Sequence, residues 1–296
     1  MPRSFLTMAA VMLIAFSVRP ALSSSSATNR LLTVPFSANR GVPMVKVMVD
    51  GQGPYTFIFD TGEEHLGSIS PKLAAELHLP KVGMGGTSDP TNGKKIKGPM
   101  FRIASLSVGN FKTKNVEVFG IDVGLDGVIG LPLFQEYLCE IKPRSGQIFL
   151  RTESLPASNG GDVLDYAVPD GIPDIAMTIA AKPVRAHLDT GNPFTISLPQ
   201  NLTRGLKWLT RPTIIGRAST PANTFTIYSG RLGTKLALGA YSFPEPFIIM
   251  TNTHSDHVNF GFGFFRQFQS IIFDQLNHRV RLQRQSRVVH FTENPI

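Results

Sequence analysis

Residues 55–62 read YTFIFDTG and residues 183–191 read PVRAHLDTG, so the same ending recurs 129 residues further along the chain. Each copy is a short run of β-forming residues that ends in Asp-Thr-Gly. A single triplet of this kind is weak evidence of function, because Asp and Gly are ordinary turn residues. Two copies, each at the end of a strand-like run, indicate an internal duplication, which governs how the remaining sequence is interpreted.

Three further pairs of segments keep the same order and nearly the same spacing, with offsets of 130 to 132 residues. They are LSVGNF (106–111) with LALGAY (236–241), VIGLPLF (128–134) with NFGFGFF (259–265), and CEI through QIFL (139–150) with IIFD through RVRL (271–282). Four elements in a conserved order predict two homologous lobes. A chain of 296 residues is long enough for two lobes of about 130 residues each.

The duplication fixes the predicted domain organisation. A stretch rich in Ser, Asn, Gly and Pro separates the two copies and is interpreted as a linker. The predicted units are a signal peptide (1–23), an N-terminal lobe (31–152), the linker (153–169), a C-terminal lobe (170–284) and a tail (285–296).

Composition favours an all-β fold with few short helices. Hydrophobic residues make up 42% and charged residues 17% of the chain, while 27 Gly and 22 Pro separate short apolar runs. One short helix is predicted over 71–79, with Pro71 in its first turn, and a second over 264–268.

The first residues have the pattern of a targeting segment. Arg3 precedes an apolar run over 5–16, which is too short to span a hydrocarbon core of about 30 Å. We therefore expect a cleaved signal peptide, an exported protein that is periplasmic or secreted, and no stable membrane insertion after cleavage. An uncleaved anchor is the alternative. The single Cys139 cannot form an internal disulfide, fits a bacterial periplasm and is predicted to be a small buried side chain.

The formal net charge of +8 does not by itself indicate nucleic-acid binding. The basic residues are scattered, apart from clusters at 94–97 and 279–287, and neither cluster is interleaved with aromatic residues. We expect these residues to lie on solvated loops and no nucleic acid to be bound.

The chemistry of the repeated triplet suggests peptide hydrolysis. If the lobes pack about a pseudo-twofold axis, Asp60 and Asp189 face each other, and two carboxylates about 3 Å apart share one proton. One then acts as the base on a bound water while the other polarises the substrate carbonyl. The predicted supporting loop residues are Thr61 and Thr190, whose hydroxyls can tie the loops together, and Gly62 and Gly191, which permit close backbone approach.

These motifs resemble the pepsin/retropepsin clan of aspartic proteases, which pairs two Asp-Thr-Gly loops with a hydrophobic-hydrophobic-Gly motif in each lobe. Here those motifs are VIG (128–130) and NFG (259–261). The resemblance implies two β-barrel-like lobes in an acid-protease fold, a dyad of Asp60 and Asp189, an extended polypeptide substrate and no cofactor. The residues themselves give no reason to expect a metal site. Because both halves of the dyad lie in one chain, we expect a monomer.

Three positions depart from the clan's pattern. Glu63 and Asn192 follow the two triplets, where Ser, Thr or Ala is usual, and Asn259 replaces an apolar residue. Asn192 can donate a hydrogen bond to Asp189. Ionised Glu63 cannot donate one to Asp60 and would raise the pKa values of the dyad if it pointed inward. It is expected to point to solvent or to pair with a base.

A flap over the cleft is predicted within 83–98, where Gly83, Gly85 and Gly86 permit hinge motion and close approach of the backbone to substrate. The corresponding segment of the second lobe, 213–229, contains few glycines. One flap is therefore expected rather than two.

Two alternatives to an active endopeptidase stay open at this point. The chain could be a catalytically impaired peptide-binding or regulatory protein with the same fold, an alternative suggested by Glu63. It could also be a pro-form that requires removal of residues 24–39. The segment THSDH (253–257) offers two imidazoles and a carboxylate, but without further ligands it is interpreted as a surface loop rather than a metal site.

Overall fold

The structure is a computed structural model that describes residues 31–38, 40–89, 91–253 and 255–291. The predicted signal peptide, 1–23, lies outside the described residues. The described part is built from 22 β-strands, two short α-helices and two 3₁₀ turns, which confirms the prediction of an all-β acid-protease fold. Within these residues, no helix is long and apolar enough to cross a membrane.

The first ten strands belong to the N-terminal half of the chain. Buried and exposed residues alternate along several of them, for example in β1, as expected for strands that cover a core on one face. They are β1 (Leu32–Ser37), β2 (Met44–Val49), β3 (Gln52–Asp60), β4 (Gly67–Ile69), β5 (Lys81–Ser88), β6 (Lys95–Val108), β7 (Phe111–Gly120), β8 (Gly127–Gly130), β9 (Leu138–Lys142) and β10 (Gln147–Arg151).

The remaining twelve strands belong to the C-terminal half of the chain. They are β11 (Val163–Ala167), β12 (Asp174–Ile179), β13 (Lys182–Leu188), β14 (Ile196–Pro199), β15 (Trp208–Thr220), β16 (Asn223–Leu232), β17 (Leu236–Leu238), β18 (Tyr241–Phe243), β19 (Phe247–Thr251), β20 (His257–Phe260), β21 (Ser270–Asp274) and β22 (Arg279–Gln283).

A six-stranded antiparallel sheet joins the two halves. Its order is β1–β10–β9–β21–β22–β11, so each half supplies three strands. The central pair is β9 with β21, in which Ile141 lies opposite Ile271. Because the two strands of this pair are the repeated CEI and IIFD segments, the sheet places the lobes in the pseudo-twofold relationship that the duplication predicted.

The predicted linker, 153–169, is not wholly irregular. Its residues Val163–Ala167 form β11, which pairs with β22 and also with β12. The Ser, Asn, Gly and Pro content of the flanking residues concealed an alternating strand in which Val163, Leu164 and Tyr166 are buried. This part of the linker prediction is wrong, because the strand completes the shared sheet.

Both predicted helices are present but shorter than expected. Helix α1 spans Pro71–Glu76, begins with Pro71 and is capped by the Ser70 side chain, whose hydroxyl accepts from the Leu73 N–H at 3.1 Å. It ends before His78, whose φ of 52° is incompatible with a right-handed helix. Helix α2 spans Phe262–Phe265 instead of 264–268, so it begins two residues earlier and ends three residues earlier than predicted.

The core runs through both halves and includes part of the predicted tail. Cys139 is fully buried, as predicted. Val289 is also fully buried and its N–H donates to the carbonyl of Ser242 at 2.9 Å, while Phe291 stacks on Phe243. The described residues of the tail therefore pack against the second lobe, whereas 292–296 lie outside the described residues.

Candidate active site

Each Asp-Thr-Gly loop is delivered by a strand that runs parallel to the strand of the hydrophobic-hydrophobic-Gly motif. Strand β3 lies beside β8, with Asp60 opposite Gly130, and β13 lies beside β20, with Leu188 opposite Phe260. The two motif glycines allow this packing. A Cβ on Gly130 would lie 2.1 Å from the carbonyl oxygen of His65, and one on Gly261 would lie 2.2 Å from that of Phe194.

The two threonines lock the loops together across the axis. The N–H of Thr61 donates to Thr190 Oγ1 at 3.0 Å, and the N–H of Thr190 donates to Thr61 Oγ1 at 3.0 Å. Each hydroxyl in turn donates to a carbonyl of the opposite lobe, Leu188 at 2.6 Å and Phe59 at 2.8 Å. Both threonines are fully buried, so these reciprocal bonds are shielded from water.

This connection places the carboxyl groups of Asp60 and Asp189 close together, each beside the Gly of the opposite loop. Asp60 Oδ1 accepts from the N–H groups of Gly62 at 2.7 Å and Gly191 at 3.0 Å. A Cβ on Gly191 would lie 2.2 Å from Asp60 Oδ2, and one on Gly62 would lie 2.9 Å from Asp189 Cγ. The two glycines are therefore needed for the close approach of the loops.

Burial raises the pKa of Asp60 well above its ordinary value, and the negative charge of Asp189 raises it further. The N–H of Gly62 opposes this by stabilising the ionised form, while the hydrogen bond to Asp189 and the charge of Glu63 add to the increase. The carboxyl group of Asp60 thus retains its proton to higher pH than an ordinary aspartate does.

The surroundings of Asp189 differ from those of Asp60. Its Oδ1 accepts from the N–H of Asn192 at 3.1 Å, and its Oδ2 accepts from the side-chain amide of Asn259 at 2.6 Å. The Asn192 amide donates instead to Asn259 Oδ1 at 2.7 Å. The expected hydrogen bond from Asn192 is therefore made by its backbone, while its side chain orients Asn259.

Asn259 is the site residue that the sequence interpretation missed. It was noted only as a replacement for an apolar residue before Gly261. A polar side chain in a motif that is otherwise apolar, on the strand beside the Asp-Thr-Gly loop, was the signal that pointed to the site.

Glu63 pairs with a base, one of the two placements predicted for it. Its Oε1 lies 2.9 Å from His65 Nδ1 and accepts from the His65 N–H at 3.0 Å, and its Oε2 accepts from Ser68 Oγ at 2.6 Å. Its side chain is only 13% exposed. The hydrogen bond to Glu63 raises the pKa of His65 despite the opposing effect of burial.

The predicted flap is a hairpin of β5 and β6, and Gly83, Gly85 and Gly86 all lie within strand β5. Gly85 faces the side chain of Met100, whose sulfur would lie 2.7 Å from a Cβ at that position. The glycines thus permit close packing within the hairpin, and their role in hinge motion stays a prediction.

The expectation of one flap rather than two is wrong. Strands β15 and β16 form a long hairpin in the second lobe, and its tip contacts the tip of the first hairpin. The hydroxyl of Thr220 donates to Asp89 Oδ2, and the Asn223 amide donates to Thr91 Oγ1 at 2.8 Å. The low glycine content of 213–229 did not predict the absence of a hairpin, because strand pairing with β-bulges forms this one with few glycines.

The carboxylate of Asp89 is central to the contact between the hairpin tips. Its exposed surface is 1%, and its Oδ1 accepts from both the N–H and the hydroxyl of Thr91. Burial acts to raise the pKa of Asp89, but the hydrogen bonds from Thr220 and Thr91 outweigh it and lower the pKa overall. The ionised form is therefore favoured at the tip.

The segment 253–257 does not bring its own side chains together as a ligand set among the residues described. His257 instead stacks on His187, with ring centroids 4.3 Å apart, and its Nε2 lies 3.3 Å from Asp174 Oδ2. Burial and the neighbouring His257 lower the pKa of His187.

The comparison with known families identifies the first lobe. Residues 45–133 match the family described as Aspartyl protease. This confirms the resemblance to the pepsin/retropepsin clan. The matched segment contains Asp60, the first hairpin and the VIG motif, whereas Asp189 lies beyond the matched residues. The chain matches no curated protein sequence.

Proposed function

We propose that the chain is an aspartic endopeptidase that hydrolyses peptide bonds of extended polypeptides by means of a water activated between Asp60 and Asp189. The observation that carries this proposal is the close pair of carboxyl groups held by reciprocal hydrogen bonds between Thr61 and Thr190. Two carboxyl groups in contact share a proton, which supplies an acid and a base in one site.

The asymmetry of the pair supports a division of roles. Both oxygens of Asp189 accept N–H hydrogen bonds, whereas the bonds from Gly62 and Gly191 both go to Asp60 Oδ1. Burial also raises the pKa of Asp60, which favours its protonated form. In the proposed reaction, ionised Asp189 removes a proton from the water as the water attacks the carbonyl carbon. Protonated Asp60 gives its proton to the carbonyl oxygen, which produces a tetrahedral gem-diol intermediate. Asp189 then passes the proton taken from the water to the leaving nitrogen, and the C–N bond breaks as Asp60 takes back a proton from one hydroxyl of the intermediate.

Two hairpins whose tips contact each other favour an extended polypeptide as substrate. In the proposed arrangement, a strand-like segment lies beneath them with its backbone hydrogen-bonded. The remaining parts of the proposal rest on the sequence alone. They are an exported protein, periplasmic or secreted, that works as a monomer, binds no nucleic acid and needs no cofactor.

The proposal is tested by incubating the purified protein with a diverse peptide library from about pH 3 to 8, with and without pepstatin. Asp60→Asn and Asp189→Asn are compared with Asp122→Asn, which changes an exposed carboxylate in the first lobe. We expect endoproteolytic products from the wild type and from Asp122→Asn, inhibition by pepstatin, and a loss of at least about 1,000-fold in kcat/KM in both dyad variants.

Cleavage that persists in either dyad variant would contradict the assignment of the pair. A folded wild type that binds library peptides but cuts none at any pH would instead support the peptide-binding alternative. Cutting that begins only after residues 24–39 are removed would support the pro-form.

A further inference from the structure

We infer that the second lobe carries a binding site for a divalent transition-metal ion of the zinc class, formed by Asp174, His187 and His257. Asp174 is the first residue of β12, His187 lies near the end of β13, and His257 begins β20. The three strands are neighbours, because β13 pairs with both β12 and β20. Two imidazoles and one carboxylate are a ligand set that suits zinc and related ions, with water completing the coordination.

The geometry of the donor atoms fits one ion. One ligand atom from each residue lies within 4.8 Å of the other two, and His257 Nε2 lies 3.3 Å from Asp174 Oδ2. In a tetrahedral site with bonds of about 2.1 Å, neighbouring ligand atoms are roughly 3.4 Å apart. The pair of Asp174 and His257 already has this spacing.

His187 provides a second, independent observation. Its Nε2 is buried from solvent and has no hydrogen-bond partner among the residues that the structure describes. A buried imidazole nitrogen without a partner is costly, since buried polar atoms are nearly always hydrogen-bonded. The ring lies against His257 at an interplanar angle of 16°, and that contact gives the nitrogen no hydrogen bond. A metal ion held between the two histidines and Asp174 would satisfy it.

Arg185 holds the carboxylate of Asp174 in place through hydrogen bonds. Its Nε lies 3.1 and 3.0 Å from the two oxygens of Asp174, and its Nη2 donates to the backbone carbonyl of the same residue at 2.6 Å. Carboxylates that bind metals are commonly fixed by outer hydrogen bonds of this kind. The positive charge of Arg185 also opposes a cation, so the affinity is expected to be lower than that of a structural zinc site.

The first lobe shows that the cluster is not required by the fold. Ile58 lies 129 residues before His187, and Met44, which pairs with Ile58, occupies the place that Asp174 has opposite His187. The first lobe thus has two apolar side chains where the second has two metal-binding ones. The His187→Ile substitution therefore introduces the residue that the same position already carries in the first lobe.

The site lies next to one half of the dyad. His187 is two residues before Asp189, and His257 is two residues before Asn259 on the adjacent parallel strand. Residues two apart in a strand point to the same face of the sheet. A bound ion would therefore lie on the face of the second lobe that carries Asp189 and Asn259.

Metal binding is measured directly, with Co²⁺ as the probe, on the full protein stripped of metals with a chelator. Tetrahedral or five-coordinate Co²⁺ with nitrogen ligands gives visible d–d absorption, which reports the ligands without reference to peptide cleavage. Titration of the wild type is compared with His187→Ile and His257→Gln, with His290→Gln as the matched control. His290 is exposed and lies outside the cluster.

We expect a one-to-one absorption change in the wild type and in His290→Gln that Zn²⁺ displaces. Loss of either cluster histidine should weaken binding at least about tenfold. Thermal unfolding of each variant without metal establishes that it is folded. The inference is overturned if the wild type gives no saturable change, or if both cluster variants bind Co²⁺ as tightly as His290→Gln. A protein that binds Co²⁺ at this site but cuts no peptides would leave the inference intact and contradict the proposed function alone.

Discussion

The side-chain amide of Asn259 lies 2.6 Å from Asp189 Oδ2, and a comparable contact is not available to Asp60, because the corresponding residue of the first lobe is Val128. The two halves of the dyad are therefore related by symmetry in their backbone but not in their hydrogen bonds. Asn259 itself is held by Asn192, whose amide donates to its Oδ1 at 2.7 Å. A short chain of two amides thus orients one carboxylate of the pair.

Replacement of Asn259 by the first lobe's valine is expected to slow the chemical step. A hydrogen bond to a charged group contributes about 1.5–3 kcal/mol, which corresponds to roughly a 10- to 100-fold decrease in kcat. Because Asn259 acts on Asp189 and not on the substrate, KM should change little. Steady-state kinetics of Asn259→Val are compared with those of Asn110→Ala, which removes an exposed amide far from the dyad in sequence. An increase in KM at constant kcat would contradict this positioning role.

The raised pKa of Asp60 predicts an effect on stability with a definite sign. A carboxyl group whose pKa is higher in the folded than in the unfolded protein binds more protons when folded, so stability falls as pH rises from the ordinary value of 3.8 through the raised value. The Asn side chain in the Asp60→Asn variant cannot ionise, so this variant does not lose stability in that way as pH rises.

We therefore expect Asp60→Asn to unfold at a higher temperature than the wild type at neutral pH, with the difference shrinking as the pH approaches 3.8. Thermal unfolding followed across this range measures it, and Asp122→Asn, an exposed carboxylate, serves as the control. Equal stability of Asp60→Asn and the wild type at every pH would show that the Asp60 pKa is not raised.

The sequence predicted those features that depend on repetition. Thr61 and Thr190 are the middle residues of the two triplets, 129 residues apart. The duplicated pattern therefore identifies both threonines whose hydrogen bonds join the loops. The alternation of buried and exposed residues likewise indicated strands. These features are local or are copied from one lobe to the other, and a single sequence can therefore reveal them.

Features that depend on contacts between distant segments were missed. Strand β11 lies in a segment whose composition is typical of a linker, and its pairing with β22 connects residues more than 100 positions apart. The contact between Thr220 and Asp89 spans 131 residues and involves two side chains that are common in turns. The sequence around Thr220 and Asp89 has no local pattern that shows whether a hairpin tip contacts another hairpin or solvent.

The pair formed by Glu63 and His65 predicts a coupled change in two pKa values. The carboxylate of Glu63 raises the pKa of His65 through a hydrogen bond and contributes to the raised pKa of Asp60. Glu63→Gln removes the charge and should lower both values. NMR titration of His65 measures the first change, and the alkaline limb of the pH profile of kcat/KM, which should move to lower pH, measures the second.

The same pair has a stability consequence. The pKa of His65 is raised in the folded protein, so the pairing of His65 with Glu63 stabilises the fold. This stabilisation is fully present below the ordinary value of 6.5 and is lost as pH rises through the raised value. Glu63→Gln should therefore destabilise the protein more at pH below 6.5 than in alkali. Glu76→Gln changes an exposed carboxylate that is 57% accessible and is the control. An unchanged His65 titration in Glu63→Gln would exclude the coupling.

The contact between the hairpin tips predicts a change in substrate binding that depends on one hydroxyl group. Thr220→Val keeps the shape of the side chain but removes the hydrogen bond to buried Asp89, whereas Thr220→Ser retains it. Loss of a hydrogen bond to a charged group costs about 1.5–3 kcal/mol, so the closed arrangement of the hairpins should be less populated in Thr220→Val. We expect KM to rise about tenfold or more in Thr220→Val, with little change in Thr220→Ser.

Acid should weaken the same contact in the wild type. The pKa of Asp89 is lowered in the folded protein, so its carboxylate stabilises the fold above the ordinary value of 3.8. This stabilisation is lost as pH falls through the lowered value. Hydrogen exchange at the tip residues, measured above and below this range, should show faster exchange in acid, after correction for the intrinsic rate. In Thr220→Val the exchange should already be fast at neutral pH. Tips that exchange equally in Thr220→Val and Thr220→Ser would show that the Thr220 hydroxyl does not hold the hairpins together.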